Sequence, residues 1–404
     1  MTAIDAAHRP PAAPATPASR SAELAHGTGG LPAESAYGTA GLPAATGGQG
    51  SSAVEREVDA DQLSLGRRLR QPRTILSLIL PIVLLALIVR SLPGFQLDRL
   101  PGNILAANKP LLIAAFFVYY LGFPLRGFRW TLLLRGTGFR IRARDATEII
   151  FLSWLVNCLV PAKLGDIYRA YLLKINSTVS LSRTFGTVFI ERMLDLFAIV
   201  LLGLASGFVS FRNGLPGAVQ FVFALGVAVV LAIAAGLFTL RNFGRRVLER
   251  LPLPHRVLEF YDRFEEGVFA AVPLRALPGL GVLTGLIWAT EGARLYFVVA
   301  ALGFQDVQLG ISGVFFVALA GSLLTAVPLT PGGLGIVEAG VGSLLTVVYR
   351  VPTTEAATIV LVDRSISVLS IIVFGAIAYA VSPKRRGGGL SPVPGASGAA
   401  ASPS

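Results

Sequence analysis

The chain has 404 residues, of which 53% are hydrophobic and only 14% are charged, and its formal net charge is +12. Soluble domains carry about 25% charged residues, so this composition excludes an ordinary soluble protein. Residues 218–240 contain no charged side chain, and this length meets the roughly 20 residues that a membrane helix needs. We therefore predict an all-α, multi-pass membrane protein.

The cysteines are too few for a disulfide, and the histidines are too scattered for a metal site. Cys158 is the single cysteine, so no intrachain disulfide can form. The histidines, His8, His26 and His255, lack the spacing of metal ligands. We predict no metal and no cofactor. We also predict no nucleic-acid partner, because the basic residues cluster between apolar runs as they do in membrane proteins.

The chain divides into three predicted regions. Residues 1–73 begin with a segment rich in Ala, Pro, Gly, Ser and Thr, and we expect them to be disordered. A transmembrane domain is predicted over 74–386, and a disordered tail over 387–404. Within the domain, apolar runs predict full spans at 74–89, 111–125, 196–211, 218–240, 276–290 and 365–381.

Loop charges predict the orientation of the chain in the membrane. Segments 126–144 and 241–275 are rich in arginine and are predicted to be cytoplasmic, whereas 303–310 has no basic residue and is predicted to be external. Both termini are then cytoplasmic, and the expected location is the plasma membrane. The basic loops could also bind anionic lipid headgroups.

The chain contains a predicted internal repeat, with units at about 111–215 and 276–381. Segment 126–139 aligns with 291–304, which are 165 residues further on, and Gly127 and Arg129 match Gly292 and Arg294. Two further alignments follow in the same order: 159–166 with 326–338, and 187–203 with 359–375, which pairs Glu191-Arg192 with Asp363-Arg364. The loop charges give the two units opposite orientations, as in the inverted repeats of many transporters.

Each unit contains an apolar stretch that is broken by proline and glycine. The first runs in along 146–160 and turns at 161–165, and the second runs in along 311–328, turns at 331–335 and returns along 336–349. Re-entrant hairpins would fit this pattern, because non-helical backbone at membrane depth is tolerated inside protein. Paired full spans would fit it equally well. The predicted architecture is six full spans and two hairpins.

Ionisable side chains in these segments are candidate functional groups, because a charge at the centre of a membrane helix costs roughly 2.5–3.5 kcal/mol. Asp166 and Arg169 are three residues apart and are predicted to pair on one helix face. Glu338 is predicted either to stabilise the start of its helix or to pair with Arg364 or Arg192. The free N–H groups of that helix start could also attract a phosphate.

The segments NCLVPAKLGDIYRAYLL at 157–173, ERMLD at 191–195 and TPGGLGIVE at 330–338 resemble the lysylphosphatidylglycerol synthase transmembrane (flippase-like) family. The resemblance covers roughly 74–381. It implies a lipid or lipid-linked substrate, and it places twelve residues at the family's motif positions: Pro161, Gly165, Asp166, Arg169, Glu191, Arg192, Asp195, Pro331, Gly332, Gly333, Gly335 and Glu338. The residues themselves add six candidates: Asn157, Lys163, Glu291, Arg294, Asp363 and Arg364.

The function expected from this pattern is translocation of an anionic phospholipid or a polyprenyl-phosphate-linked lipid. One alternative is a membrane subunit that presents a lipid acceptor to a separate glycosyltransferase or aminoacyltransferase, and another is a structural or regulatory scaffold. We expect no enzymatic activity: only about 18 residues follow Arg386, where synthase members carry a soluble transferase domain. The PGG turn is also not a P-loop, because no Gly-Lys-Ser/Thr follows it.

Overall fold

The computed structural model describes residues 96–212, 214, 216–244, 250, 254–326 and 330–391. The described part consists of helices and connecting turns, with no strand among these residues. The N-terminal region and the predicted first span at 74–89 lie outside it.

Twelve α-helices follow one another in the described ranges. They are α1 Arg99–Ala106, α2 Lys109–Gly136, α3 Ala143–Leu159, α4 Leu164–Asn176, α5 Leu181–Ser210, α6 Gly217–Asn242, α7 His255–Ala270, α8 Leu277–Leu302, α9 Gly310–Ala326, α10 Ile336–Ser343, α11 Thr353–Arg364 and α12 Ser370–Val381. A π-helical turn joins α11 to α12, and another extends α10 to Val348.

Among the described residues, six segments are long and apolar enough to cross a membrane, which confirms the predicted multi-pass, all-α class. They are Lys109–Gly136, Leu181–Ser210, Val219–Gly236, Leu277–Leu302, Pro331–Val348 and Thr353–Val381. Five of the predicted spans fall on these segments. The helices are longer than the uncharged runs. They can include charged residues because these residues form ion pairs inside the protein.

The predicted breaks at 161–165 and 331–335 both occur. Helix α3 ends at Leu159 and α4 begins at Leu164. In the second unit, a short 3₁₀ turn over Pro331–Gly333 precedes α10, and Gly332, Gly333 and Gly335 have positive φ angles of 57°, 73° and 85°. Glycine suits these positions because it has no Cβ to clash in the left-handed region.

The helices pack in a pattern that agrees with the predicted repeat. Helix α2 lies along its counterpart α8, α5 packs on α9, and α12 packs on α3. Gly127 allows α3 to approach α2 at Thr147, and Gly292, which is 165 residues further on, allows α9 to approach α8 at Phe315. Equivalent glycines therefore serve equivalent contacts, whereas the opposite membrane orientation of the two units stays a prediction.

The start of the predicted tail packs against the helical body. The ammonium group of Lys384 lies 2.9 Å from Asp145 and 2.7 Å from Glu148. Further along, Gly389 and Ser391 donate backbone hydrogen bonds to Asn176 and Asp145. Residues 382–391 therefore clamp the outer ends of α3 and α4, and residues 392–404 lie outside the described ranges.

We expect Lys384→Met to destabilise the protein by about 3 kcal/mol, because it leaves the buried Asp145 carboxylate without its cation. Thermal unfolding in detergent measures the loss. Arg386→Met is the control, since Arg386 is exposed, and it should behave as wild type. Equal melting temperatures for both variants would contradict the clamp.

The clamp also has a defined pH range. Burial raises the pKa of Asp145, but hydrogen bonds from Lys384 and Ser391 outweigh it and hold this pKa below its ordinary 3.8. Burial likewise lowers the pKa of Lys384, and its bonds to Glu148 and Asp145 raise it above 10.5. The Asp145 contribution is lost as pH falls below 3.8, and the Lys384 contribution is lost as pH rises above 10.5. Between these limits, protease resistance of residues 382–391 should not change with pH.

The close approach of α3 and α4 depends on Gly165. A Cβ at this position would meet the backbone oxygen of Ser153 and the side chain of Asn157. We expect Gly165→Ala to cost 1–3 kcal/mol, about the usual cost of overpacking. The control is Gly342→Ala, where no atom lies within 4 Å of the new Cβ and helix propensity favours alanine. Thermal unfolding of both variants tests the contact, and a stable Gly165→Ala protein would contradict it.

Candidate functional site

A cavity of about 310 Å³ lies between the two predicted repeat units. Its charged wall comes from α2, the α3–α4 turn, α4, α5, α8 and α11, whereas the residues from α9 and α10 are apolar, glycine or hydroxyl-bearing. The charged lining residues are Arg126, Lys163, Asp166, Arg192, Asp195, Glu291, Arg294, Asp363 and Arg364. This combination suits an amphiphilic ligand, and the volume is at the lower end of small-molecule sites.

Arg129, on α2, is the centre of the ionic network in the first unit. Its Nη1 lies 2.6 Å from Asp195 Oδ1, and its Nη2 lies 3.3 Å from Glu191 Oε1. Arg169 holds the other side of Glu191 with hydrogen bonds of 2.6 and 3.0 Å and stacks 3.9 Å from the ring of Trp130. Because Arg129, Arg169 and Glu191 are almost completely buried behind the wall, they support the site instead of lining it.

The second unit carries a matching network. Arg294 lies 2.9 Å from Asp363 and 2.9 Å from Glu291. The other carboxylate oxygen of Glu291 accepts a 2.7 Å hydrogen bond from Arg126. Arg126 and Glu291 are themselves aligned residues of the two units, so this ion pair joins α2 and α8 directly.

Two further ion pairs link each broken segment to its neighbouring long helix. Asp166 on α4 lies 3.2 Å from Arg192 on α5, and Glu338 on α10 lies 2.7 Å from Arg364 on α11. Asp166 and Glu338 are 172 residues apart, as are Arg192 and Arg364. The prediction that Asp166 pairs with Arg169 is wrong: both side chains reach across to α5, where their partners satisfy them more fully.

Glu338 performs both of its predicted roles. One carboxylate oxygen accepts a 2.6 Å hydrogen bond from Gly335 N–H at the helix start, and the other pairs with Arg364. Arg364 also donates to the carbonyl oxygen of Gly332, which fixes the turn. The Gly335 N–H is therefore already used by the chain's own carboxylate and is not free to hold a phosphate.

Contacts between the units are also reciprocal. Arg129 donates a 3.0 Å hydrogen bond to Thr284, and Arg294 stacks 5.1 Å from the ring of Tyr119. Tyr119 and Thr284 are 165 residues apart, the same separation as Arg129 and Arg294. Equivalent arginines therefore reach equivalent positions in the opposite unit, which supports the predicted repeat.

The structure brings most of the candidate residues to the cavity. Those that line it are Asn157, Lys163, Asp166, Arg192, Asp195, Glu291, Arg294, Gly332, Gly333, Asp363 and Arg364. The others shape the turns or support the wall: Pro161, Gly165, Arg169, Glu191, Pro331, Gly335 and Glu338. In the described part of the chain, no group of three or more His, Cys, Asp or Glu side chains could hold a metal ion.

Sequence analysis missed Arg126 and Arg129 as site residues. Both were assigned to a cytoplasmic loop, but they lie within α2 and are 3% and 0% exposed. Their carboxylate partners lie far away in the chain, so local composition gave no sign of burial. The exposed Arg135, Arg140 and Arg142 still support a cytoplasmic position for the end of α2 and the following loop.

Comparison with known proteins identifies the family. Residues 74–375 match the model of the lysylphosphatidylglycerol synthase TM region. The chain belongs to this family. The match confirms the predicted resemblance and covers every candidate site residue.

Two known proteins are similar to this chain over long stretches. A UPF0104 membrane protein of Methanocaldococcus jannaschii is 38% identical over 226 residues, which are 55% of this chain and 92% of that protein. Glycosyltransferase AglD of Haloferax volcanii is 28% identical over 347 residues, which are 78% of this chain and 55% of that protein. The chain thus spans about half the length of AglD.

We expect the Glu338–Arg364 pair to be energetically coupled. In a double-mutant cycle with Glu338→Gln and Arg364→Gln, the coupling free energy should be about 1–3 kcal/mol, because both groups lie in a poorly solvated interior. The cycle is measured by unfolding in detergent. The control is the solvent-exposed Arg183–Glu266 pair at 2.7 Å, whose coupling should stay below about 1 kcal/mol. Equal coupling in the two cycles would contradict the assigned role.

Proposed function

We propose that this protein moves a phosphate-bearing lipid between the two leaflets of the plasma membrane. The observation that carries the proposal is a cavity between the two units with a charged wall and an uncharged wall. Charged groups inside a membrane protein are costly and mark polar pathways by default. The charged wall suits a headgroup, and the uncharged wall of α9 and α10 suits the first part of an apolar chain.

The arrangement of the units supports movement around this site. Helices α5 and α9 pack together, as do α12 and α3, so each contact pairs a helix of one unit with a helix of the other. The broken segments in each unit end beside the cavity. In transporters built from inverted repeats, rocking of one unit against the other opens a central site to alternate sides. The same rocking would carry a headgroup past the ionic network.

Blocking the cavity tests the proposal. Ser322 lines the cavity on the uncharged α9 wall, and Ser322→Trp should fill part of its volume. In vesicles containing the purified protein and a fluorescent phospholipid, we expect leaflet exchange to slow at least tenfold. Exchange is measured as the loss of fluorescence when a membrane-impermeant quencher is added.

The control for this experiment is Val282→Trp, which adds the same side chain at a residue that is 64% exposed. It should leave the exchange rate unchanged, and both variants should melt near the wild-type temperature. Exchange by Ser322→Trp at the wild-type rate would overturn the assignment of the cavity. No exchange by the wild type, for any phospholipid supplied, would overturn translocation itself.

A second candidate function is presentation of a lipid acceptor to a separate glycosyltransferase. The observation that favours it is the relative named glycosyltransferase, AglD, of which about half aligns with this chain. In this case the same cavity would hold the lipid without moving it across the membrane. Co-purification of a glycosyltransferase, together with lipid binding but no leaflet exchange, would support this function over translocation.

A further inference from the structure

The ionic groups in and behind the cavity wall can be matched one to one. Each of six arginines has a carboxylate partner of its own within 3.2 Å. The pairs are Arg126–Glu291 at 2.7 Å, Arg129–Asp195 at 2.6 Å, Arg169–Glu191 at 2.6 Å, Arg192–Asp166 at 3.2 Å, Arg294–Asp363 at 2.9 Å and Arg364–Glu338 at 2.7 Å. These twelve charges cancel.

Lys163 is the seventh cation at this site, and it forms no ion pair or side-chain hydrogen bond among the described residues, since the nearby Asp166 and Asp195 are paired with arginines. It lies in the turn between α3 and α4 and lines the cavity, where it is half-buried. The site as a whole therefore carries one net positive charge. An uncompensated charge in a poorly solvated interior is costly. An anionic ligand beside Lys163 would lower this cost.

The backbone at Lys163 gives a second, independent reason to assign it a role. Its φ angle is +50°, a left-handed conformation that is unfavourable for a residue with a Cβ. Residue 335, which is 172 positions further on, caps the equivalent helix with a φ angle of +85° and is a glycine. The first unit thus carries a lysine where glycine would cost less, and such local strain is typical of functional positions.

Two further donor atoms at the cavity make no hydrogen bond among the described residues. The Arg126 side chain is only 4% exposed, and its Nη1 atom is buried and makes no hydrogen bond in the described structure. The hydroxyl group of Thr330 is also buried, and it has no partner in the part of the chain that the structure describes. Both residues line the same cavity as Lys163. An ammonium, a guanidinium N–H and a hydroxyl together form a donor set that suits phosphate oxygens.

We propose that Lys163, with Arg126 Nη1 and Thr330, binds the phosphodiester of a lipid whose headgroup carries one net negative charge. A phosphomonoester or pyrophosphate lipid would bring a second negative charge beside Asp166 and Asp195, which already have their own cations. A zwitterionic lipid would add a cation that has no free carboxylate to meet it. This substrate class rests on the proposed function, because it assigns a lipid to the same cavity.

The test measures binding of three lipids with the same short chains to the purified full-length protein in detergent. We expect phosphatidylglycerol, with a net charge of −1, to bind at least tenfold more tightly than phosphatidylcholine or phosphatidic acid. Lys163→Gly should weaken phosphatidylglycerol binding about tenfold or more and abolish the selectivity. This variant should melt at or above the wild-type temperature, since glycine relieves the backbone strain. Lys163→Arg should keep the selectivity.

Two results would overturn the proposal: wild-type affinity of Lys163→Gly for phosphatidylglycerol, or equal affinity of the wild type for all three lipids. Glycerophosphoglycerol, a phosphodiester without acyl chains, distinguishes a lipid ligand from a soluble phosphodiester. If it binds as tightly as the lipid, the lipid part of the proposal is overturned, whereas binding only of the lipid supports it.

The same variants separate this proposal from translocation. If Lys163→Gly still exchanges lipids between leaflets and keeps the wild-type affinity and selectivity for phosphatidylglycerol, translocation stands and the Lys163 assignment fails. If the wild type selects phosphatidylglycerol through Lys163 but exchanges no lipid, the Lys163 assignment stands and translocation fails.

Discussion

The fold depends on pairing charges where water is scarce. A charged side chain that faces lipid is costly, and a buried ion pair compensates for this cost only when both partners are held in good geometry. Here six arginines and six carboxylates meet between long helices that are otherwise apolar. Each pair joins two helices or ties a helix to a turn, so the network fixes the arrangement of α2, α5, α8 and α11 around the cavity.

The two broken segments follow from the same constraint. A turn inside the protein can contain proline, glycine and left-handed residues, because neighbouring helices and side chains satisfy its backbone. In the second unit, Arg364 and Glu338 supply these contacts directly by bonding to Gly332 and Gly335. In the first unit, Asn157 accepts the N–H of Gly165. The break therefore holds the wall of the cavity in place, and it is not a weak point in a membrane helix.

The predicted repeat accounts for the one cation of the site that forms no ion pair in the described structure. Equivalent residues form equivalent pairs in the two units, such as Asp166–Arg192 and Glu338–Arg364. Lys163 has glycine as its counterpart, so its charge has no match in the second unit. If the two units share this scaffold, as the alignment predicts, then Lys163 is a charge by which their cavity walls differ.

The sequence by itself determined the class of the protein, the family, five of the spans and both breaks. These depend on local properties: a run of apolar residues long enough to cross a membrane, and proline or glycine where a helix cannot continue. It also predicted that Glu338 pairs with either Arg364 or Arg192, and the structure shows the pair with Arg364.

Only the tertiary structure decided which charges pair and which are buried. Arg126 and Arg129 look like residues of a basic loop until α8 and α5 bring Glu291 and Asp195 to them. Asp166 and Arg169 could pair on one helix face, yet both find partners on α5. Such choices depend on contacts between residues distant in the chain, and the energy of a buried charge depends on every group around it.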